Sequence, residues 1–366
     1  SHTLFRIDCE HWKNRELAGV VIDEAQAAKN PRTQLYRYLK DLPVAWRVCI
    51  SGTPIENSLE DLWSLMSLAV PGLLSSHSSF NEKFRRPIEA GRSPDLLNLL
   101  HSLIAPFVLR RTKEEVAPEL PERVETLLPV PLGRKQRQIY DRYLTRERAR
   151  LLHLELENDT RERFEVLAAL TRLRQLSLDP ALVDQRYDSV GSAKIDLLCE
   201  HLEQILPLGH KVLVFSQFVA FLERIRGSLD QRGISSLLLE GKTRNRHAVI
   251  DEFQHGDVQV FLISLTAGGA ALTLTQADYV YMMDPWWNPS VEAQAVNRAH
   301  RIGQDRRVNV YRLVAQDTIE EKVCQLQAHK QLLVDSVVGQ NLGEGRSSTD
   351  IQQLLKLIQE DRDGRV

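Results

Sequence analysis

The stretch Asp284-Pro285-Trp286-Trp287-Asn288-Pro289-Ser290-Val291-Glu292-Ala293-Gln294-Ala295-Val296-Asn297-Arg298-Ala299-His300-Arg301-Ile302-Gly303-Gln304 decides how this chain folds. Directly before it lies Tyr279-Val280-Tyr281-Met282-Met283, an apolar, β-branched and aromatic run that reads as a buried strand. Asn288 can cap a helix whose first residue is Pro289, where a missing N–H costs nothing, and Gly303 is expected to stop it. On such a helix Gln294, Arg298 and Arg301 are spaced by four and three residues and share one face. Val296, Ala299 and Ile302 fall on another stripe, expected to pack against the sheet. Two guanidiniums and an amide at the end of a sheet can clamp phosphate, because guanidinium forks match phosphate oxygens. By spacing alone, a solvated basic helix fits equally well.

Moving outward, the neighbouring segments repeat one pattern. Upstream come helix Ala193–Leu206, strand Lys211–Phe215, helix Val219–Gln231, strand Ser235–Leu239, helix Arg246–Phe253 and strand Val258–Ile263. Downstream come strand Val308–Val314 and helix Thr318–Val337, then Gly339–Thr349, rich in Gly and Ser and expected to be mobile, and a terminal helix Ile351–Gln359. Strands alternating with helices of this length imply an α/β fold with a parallel sheet covered on both faces.

Toward the amino terminus, Leu17–Ile22 is a short apolar strand that ends in Asp23-Glu24-Ala25-Gln26, with Lys29-Asn30 just beyond. Ligands of open α/β sheets bind at the carboxyl ends of strands, so two adjacent acids there suit a magnesium ion held by Asp23 and a water oriented or deprotonated by Glu24. An acidic turn after a strand is the plainer alternative. Trp46–Ile50 is the next strand and ends in Ser51-Gly52-Thr53-Pro54, small and hydroxyl-bearing residues that can approach a phosphate. Leu59–Val70 reads as an amphipathic helix, and Leu73–Pro106 as short helical pieces broken by Ser, Gly and Pro. Gly133–Leu178 is helical and crowded with Arg134, Lys135, Arg137, Arg142, Arg146, Arg148 and Arg150. Such a run can track a phosphate backbone, although charge on helices more often forms a solvated face.

Composition narrows the function classes. At 366 residues there is room for two or three domains, and a net charge of −2 confines nucleic-acid binding to a local groove. The four cysteines form no C-x-x-C pair and the histidines no H-E-x-x-H, so zinc is not expected and reduced thiols of the cytoplasm are. No apolar run approaches the roughly 18 residues of a membrane span. Gly241-Lys242-Thr243 imitates the end of a P-loop, G-x-x-x-x-G-K-[ST], but Ser236 stands where its first glycine belongs and Ser235–Leu239 reads as strand. The sequence therefore contains no Walker A loop.

Taken in order, these motifs resemble the Swi/Snf-type DNA-dependent ATPases of helicase superfamily two, most closely the bacterial branch. Asp23–Gln26 with Lys29 and Asn30 is similar to the family's motif II, Ser51–Asn57 to motif III, Leu109–Lys113 to the inter-lobe segment, and Val212–Phe218 to motif IV. Ser264–Thr275 is similar to motif V and Gln294–Gln304 to motif VI with its arginine fingers, Arg298 and Arg301. The resemblance implies two RecA-like lobes closing on ATP and magnesium while gripping double-stranded DNA, with the first lobe truncated and helical insertions between them. It implies nucleotide contacts at Gln26, Gly268, Gly269 and Gln294, and DNA contact or inter-lobe coupling at Lys29, Asn30, Ser51, Gly52, Thr53, Ser216, Gln217 and Thr266. It also implies a nucleoid-associated protein of the cytoplasm, acting on a DNA-bound partner such as RNA polymerase.

The expected domains are 1–130, the end of lobe one with a helical insertion at 71–106; 131–190, the Arg-rich insertion; 191–337, lobe two; and 338–366, a linker and helix. Ser1 is not an initiator methionine and the strands and P-loop expected upstream of Leu17 are missing, so the chain is expected to be cut from a longer one, leaving Val20–Ile22 exposed. Two departures from the family stand out: Ala271 and Thr273 follow Gly268-Gly269 in place of a Gly and an Asn, and Gln26 replaces a histidine. The alternatives are a strand-separating helicase of the same superfamily, to be told apart by strand displacement, and a non-catalytic nucleic-acid-binding remnant, to be told apart by the sequence upstream of Ser1.

Overall fold

In a computed structural model the protein is described at residues 1–325 and 327, apart from 54, 56, 57, 91–93, 152–159, 266, 268–271. The expected mobile segment 339–349, the helix 351–359 and the end of the helix starting near 318 lie outside the described residues. The chain forms two compact units, one taking in Ser1–Arg111 and the other beginning at Thr112. This division falls ahead of the boundary expected at 130.

The second unit is built on a six-stranded, all-parallel sheet: β3 (Arg123–Val130), β4 (Val212–Ser216), β5 (Ser236–Leu239), β6 (Val260–Ser264), β7 (Tyr279–Met282) and β8 (Val308–Ala315), in the order β3-β8-β7-β4-β6-β5. β4 and β6 are buried at every residue, the mark of strands covered on both faces. Leu213, Phe215, Phe261 and Ile263 project to one face, where they meet Phe253, Ala295, Val296 and Ala299. Val212, Val214, Val260 and Leu262 project to the other, against Leu198, Leu202, Phe221, Leu222 and Ile225. Each such fully buried side chain contributes about 1.5–3 kcal/mol of transfer free energy.

β3 carries its apolar run, Leu127-Leu128-Pro129-Val130, at its end and interrupted by proline. Its burial alternates, with Val124, Thr126, Leu128 and Val130 more buried than their neighbours, and Leu127 left exposed. Pro129 lies within it, which is tolerated because β3 is the edge of the sheet and pairs only with β8. The Arg-rich helices, α1 (Arg134–Leu151) and α2 (Thr160–Leu178), pack on each other and on Ala315 and Ile319. Several of their arginines are held by the protein itself: Arg137 Nη1 donates to Asp317 O at 2.9 Å, Arg142 Nη2 to Tyr187 Oη at 3.1 Å, and Arg172 makes two bonds to Glu147 at 2.9 and 3.0 Å.

The first unit has a two-stranded parallel sheet, β1 (Leu17–Ile22) with β2 (Val44–Cys49), and a helical part around Leu59, Trp63, Phe80, Leu100 and Ile104. The expected exposure of Val20–Ile22 holds at Val21, 55% exposed, and fails at Ile22, which is 3% exposed against Tyr36 and Leu39. What lies open is one face of the sheet, carrying Val21, Trp46, Val48 and Ile50. Gly19 is needed there, because a Cβ would meet the Trp46 ring at 2.1 Å.

Candidate functional site

In the first unit the two acids stand at the carboxyl end of β1, both exposed. Asp23 Oδ1 accepts the Glu24 N–H at 2.9 Å. Glu24 has φ 49° and ψ 47°, a left-handed conformation that costs a side-chain-bearing residue about 1–2 kcal/mol. Gln26 Nε2 donates to Glu24 Oε2 at 2.5 Å, and Gln26 Oε1 accepts from Ser51 Oγ at 2.7 Å. Ser51 Oγ in turn accepts the Thr53 N–H at 3.0 Å. A continuous relay thus runs from the β1 acid to the loop after β2. Asn30 Oδ1 accepts the Arg32 N–H at 2.9 Å, which shapes its own turn. Gly52 is exposed with open space where a Cβ would stand. Exposed carboxylates are hard oxygen donors that suit magnesium bound partly through water, so Asp23 with Glu24 fits that ion.

In the second unit the helix after β7 departs from expectation. It spans Pro289–Val296 (α3) and stops well before Gly303. Asn297 N–H still reaches Ala293 O at 2.9 Å and His300 N–H reaches Val296 O at 3.2 Å, but Arg298 and Ala299 bond to Ala295 O and Val296 O, three residues back, at 3.1 Å each. Further on, Arg298 O accepts Leu274 N–H at 2.9 Å and His300 O accepts Lys113 Nζ at 2.6 Å. Gln294 is therefore helical, while Arg298 and Arg301 ride a tight turn and share no helix face with it. Val296 and Ala299 are buried as expected, whereas Ile302 is 74% exposed because the stripe ends with the helix.

Both arginines lean on the end of the expected motif V. Arg298 Nη1 donates to Leu272 O at 3.5 Å and Arg301 Nη1 to Thr273 Oγ1 at 3.4 Å. Thr266, Gly268, Gly269 and Ala271 lie outside the described residues. Gln304 is buried and holds this corner through Ala277 O at 2.9 Å and Ala299 O at 3.2 Å.

Ser216, expected to contact DNA or couple the lobes, is fully buried, so direct contact with nucleic acid is closed to it. Its hydroxyl accepts the Phe218 N–H at 3.1 Å and faces Asp284. The Asp284 carboxylate also accepts the Gln217 N–H at 3.3 and 3.4 Å, which joins the ends of β4 and β7. Opposite stands Arg174 of α2, 3.5 Å from Asp284 and donating to Pro285 O at 2.6 Å. Its guanidinium lies 5.6, 5.6 and 5.3 Å from the rings of Phe218, Trp286 and Trp287. Burial pushes the Asp284 carboxyl above its ordinary range and the Arg174 guanidinium below its own, and the charge of each restrains the other's shift. Behind this pair Lys194 donates to Met283 O, Leu313 O and Glu320 Oε2 at 2.6, 2.8 and 2.6 Å. Glu292 of α3 accepts the Trp286 N–H at 2.6 Å and pairs with Arg312. Sequence reasoning missed Arg174, Lys194, Glu292, Arg312 and Glu320. A single charge on an otherwise apolar helix face, such as Arg174 between Leu170 and Leu178, is the signal that marks a buried pair.

An all-parallel α/β lobe with an aromatic loop at the carboxyl end of β7 and an arginine turn after the next helix fits the class of the RecA-like lobes, and comparison with known proteins sets the family. The SNF2-related domain matches residues 1–182 and the helicase conserved C-terminal domain matches 193–303. The putative ATP-dependent helicase/translocase YwqA of Bacillus subtilis is 33% identical over 98% of this chain and 40% of that protein. An uncharacterized ATP-dependent helicase of Mycoplasma pneumoniae is 33% identical over 98% of the chain and 34% of its own length. Among solved structures, the Sulfolobus solfataricus SWI2/SNF2 ATPase core in complex with dsDNA has a TM-score of 0.51 and 31% identity, covering 98% of this chain and 75% of that one. The C-terminal part of the Fun30 ATPase domain has a TM-score of 0.52 and 26% identity, over 66% and 99%. The chain belongs to the SNF2 family of helicase-like proteins. It spans between a third and two-fifths of the length of these curated relatives. Among the described residues no helix is long and apolar enough to cross a membrane.

Proposed function

We propose that the chain is part of an ATP-driven motor that moves along double-stranded DNA, of the remodelling rather than the strand-separating kind. The observation that carries this reading is the arginine turn: Arg298 and Arg301 are set together against Leu272 and Thr273, so two guanidinium forks stand where they can meet one phosphate. The relative solved with duplex DNA supports the choice of polymer.

In this reading Asp23 holds magnesium and Glu24 orients or deprotonates the attacking water. When bound, the ion supplies charge neutralisation on the phosphate oxygens. Gln26 fixes the Glu24 carboxylate and passes its position to Ser51 and Thr53. Arg298 and Arg301 stabilise charge developing on the transferred phosphoryl group, an effect of about 10³–10⁵ in rate for an arginine finger. Gln294, Gly268 and Gly269 are assigned to nucleotide, and Lys29, Asn30, Gly52, Gln217 and Thr266 to DNA or to coupling. The protein is assigned to the cytoplasm and nucleoid, with a DNA-bound protein such as RNA polymerase as the object it displaces.

The test is DNA-stimulated phosphate release by the full-length protein carrying Arg301→Ala. Turnover is expected to fall by about 10³ or more while ATP binding survives, because a finger acts on the transition state more than on the ground state. Turnover equal to that of the unaltered protein overturns the assignment. Displacement of a strand from a partial duplex would favour the unwinding helicase instead.

A further inference from the structure

The arginine turn is held from outside its own helix. Lys113 opens the short helix Lys113–Val116, directly past the division between Arg111 and Thr112. Its Nζ donates to Asn297 Oδ1 at 2.8 Å and to His300 O at 2.6 Å. From the same connecting segment, Pro121 O receives the His300 Nε2–H at 2.8 Å. These three bonds reach the turn on either side of Arg298 and immediately before Arg301.

The helix has already ended at this point: the Arg298 and Ala299 N–H groups turn to carbonyls three residues back, and Gly303, at φ 99°, stops any continuation through Gln304. Lys113 adds a charge-assisted bond to the His300 carbonyl, at a helix carboxyl terminus where a cation is favoured.

We propose that Lys113 is the positioning residue of the arginine turn. It ties the Asn297 side chain and the His300 carbonyl to the helix Lys113–Val116, and so fixes where Arg298 and Arg301 stand. The catalytic part of this inference rests on the function proposed for the arginines; the structural part does not.

Lys113→Gln tests both, with Asn297→Ala as a second variant that removes one of the two acceptors. In the 366-residue chain, amide hydrogen exchange is read at Leu274, which reports on Arg298 O, and at Arg301 and Gln304. Exchange there is expected to quicken about tenfold in Lys113→Gln, and less in Asn297→Ala, the scale of one lost charge-assisted bond. Amides of β4 should be unchanged. In the full-length protein kcat is expected to fall about tenfold with KM for ATP unchanged, and Lys113→Arg, which keeps charge and donors, should restore it. Unchanged exchange at the turn overturns the inference. Faster exchange with unaltered kcat overturns the positioning role while leaving the arginine assignment standing. If Arg301→Ala is itself silent, the proposed function fails and the catalytic role of Lys113 falls with it, whereas exchange still decides whether the ammonium holds the turn.

Discussion

Arg174 and Asp284 form a buried ion pair at 3.5 Å, with side chains 4% and 0% exposed, that fastens the Arg-rich helix α2 to the loop leading into the arginine turn. The carboxyl ends of β4 and β7 meet at it, since Asp284 also takes the Gln217 N–H. Buried pairs of this kind specify geometry more than they add stability, because desolvation offsets most of the Coulomb attraction.

The first prediction follows from that balance. Arg174→Met leaves Asp284 buried without its cation and is expected to cost about 3–5 kcal/mol. Arg174→Met with Asp284→Asn removes both charges and should recover most of the loss. The midpoints of urea unfolding compare them, and a double variant no more stable than the single one would show that the pair is not the source of the cost.

A second prediction concerns Glu24, whose left-handed backbone is strained for any residue with a Cβ and most for a β-branched one. Glu24→Gly and Glu24→Ile both lose the carboxylate and its bond to Gln26. They should nevertheless differ in stability, with Gly ranking above Ile by about 1–2 kcal/mol. Thermal melting of the two variants measures the gap. Equal melting would mean that the strain is relaxed in solution.

The third prediction is chemical. Burial pushes the thiols of Cys49 and Cys324 up to about 11, so the thiolate needed for alkylation is scarce at neutral pH. Iodoacetamide should therefore label both slowly in the native protein at pH 8. Labelling should quicken as the pH nears 11 or when denaturant opens the fold. Rapid native labelling of either residue would place it at the surface.

How far the site was legible in sequence follows from what each feature needs. β4, β6 and β7 announce themselves because strands buried on both faces must be continuously apolar. The acidic pair and both arginines stand out as candidates because their residue types and their places after a strand and after a helix limit their chemistry. β3 was missed because an edge strand needs only alternation, and Arg123, Glu125 and Pro129 mask it. The end of α3 at Val296 was missed for a different reason. There the backbone tightens to bonds three residues back, and the turn beyond it is held by Leu274 and Lys113, residues remote in sequence of which local spacing carries no trace. The buried charges Arg174, Lys194 and Glu320 share that difficulty, since each is intelligible only beside its partner.

The last prediction is that these 366 residues alone do not turn over ATP. Hydrolysis needs a loop of backbone N–H groups to cradle the phosphates and a lysine to reach the β and γ oxygens. The sequence offers no G-x-x-x-x-G-K-[ST], and its nearest imitation fails in the fold. Gly241 and Lys242 form a turn after β5, and Ser236, where the first glycine would stand, lies inside that strand. Asp23 can serve magnesium only beside an anchored nucleotide, and Arg298 and Arg301 then have no γ-phosphate to meet. The second unit should fold regardless, since its sheet is complete from β3 to β5 and buried on both faces. Phosphate release, with and without duplex DNA, should be compared between this chain and a protein of its relatives' length. Only the longer protein is expected to respond to DNA. DNA-stimulated release by the 366-residue chain would place its nucleotide site among residues other than those assigned here.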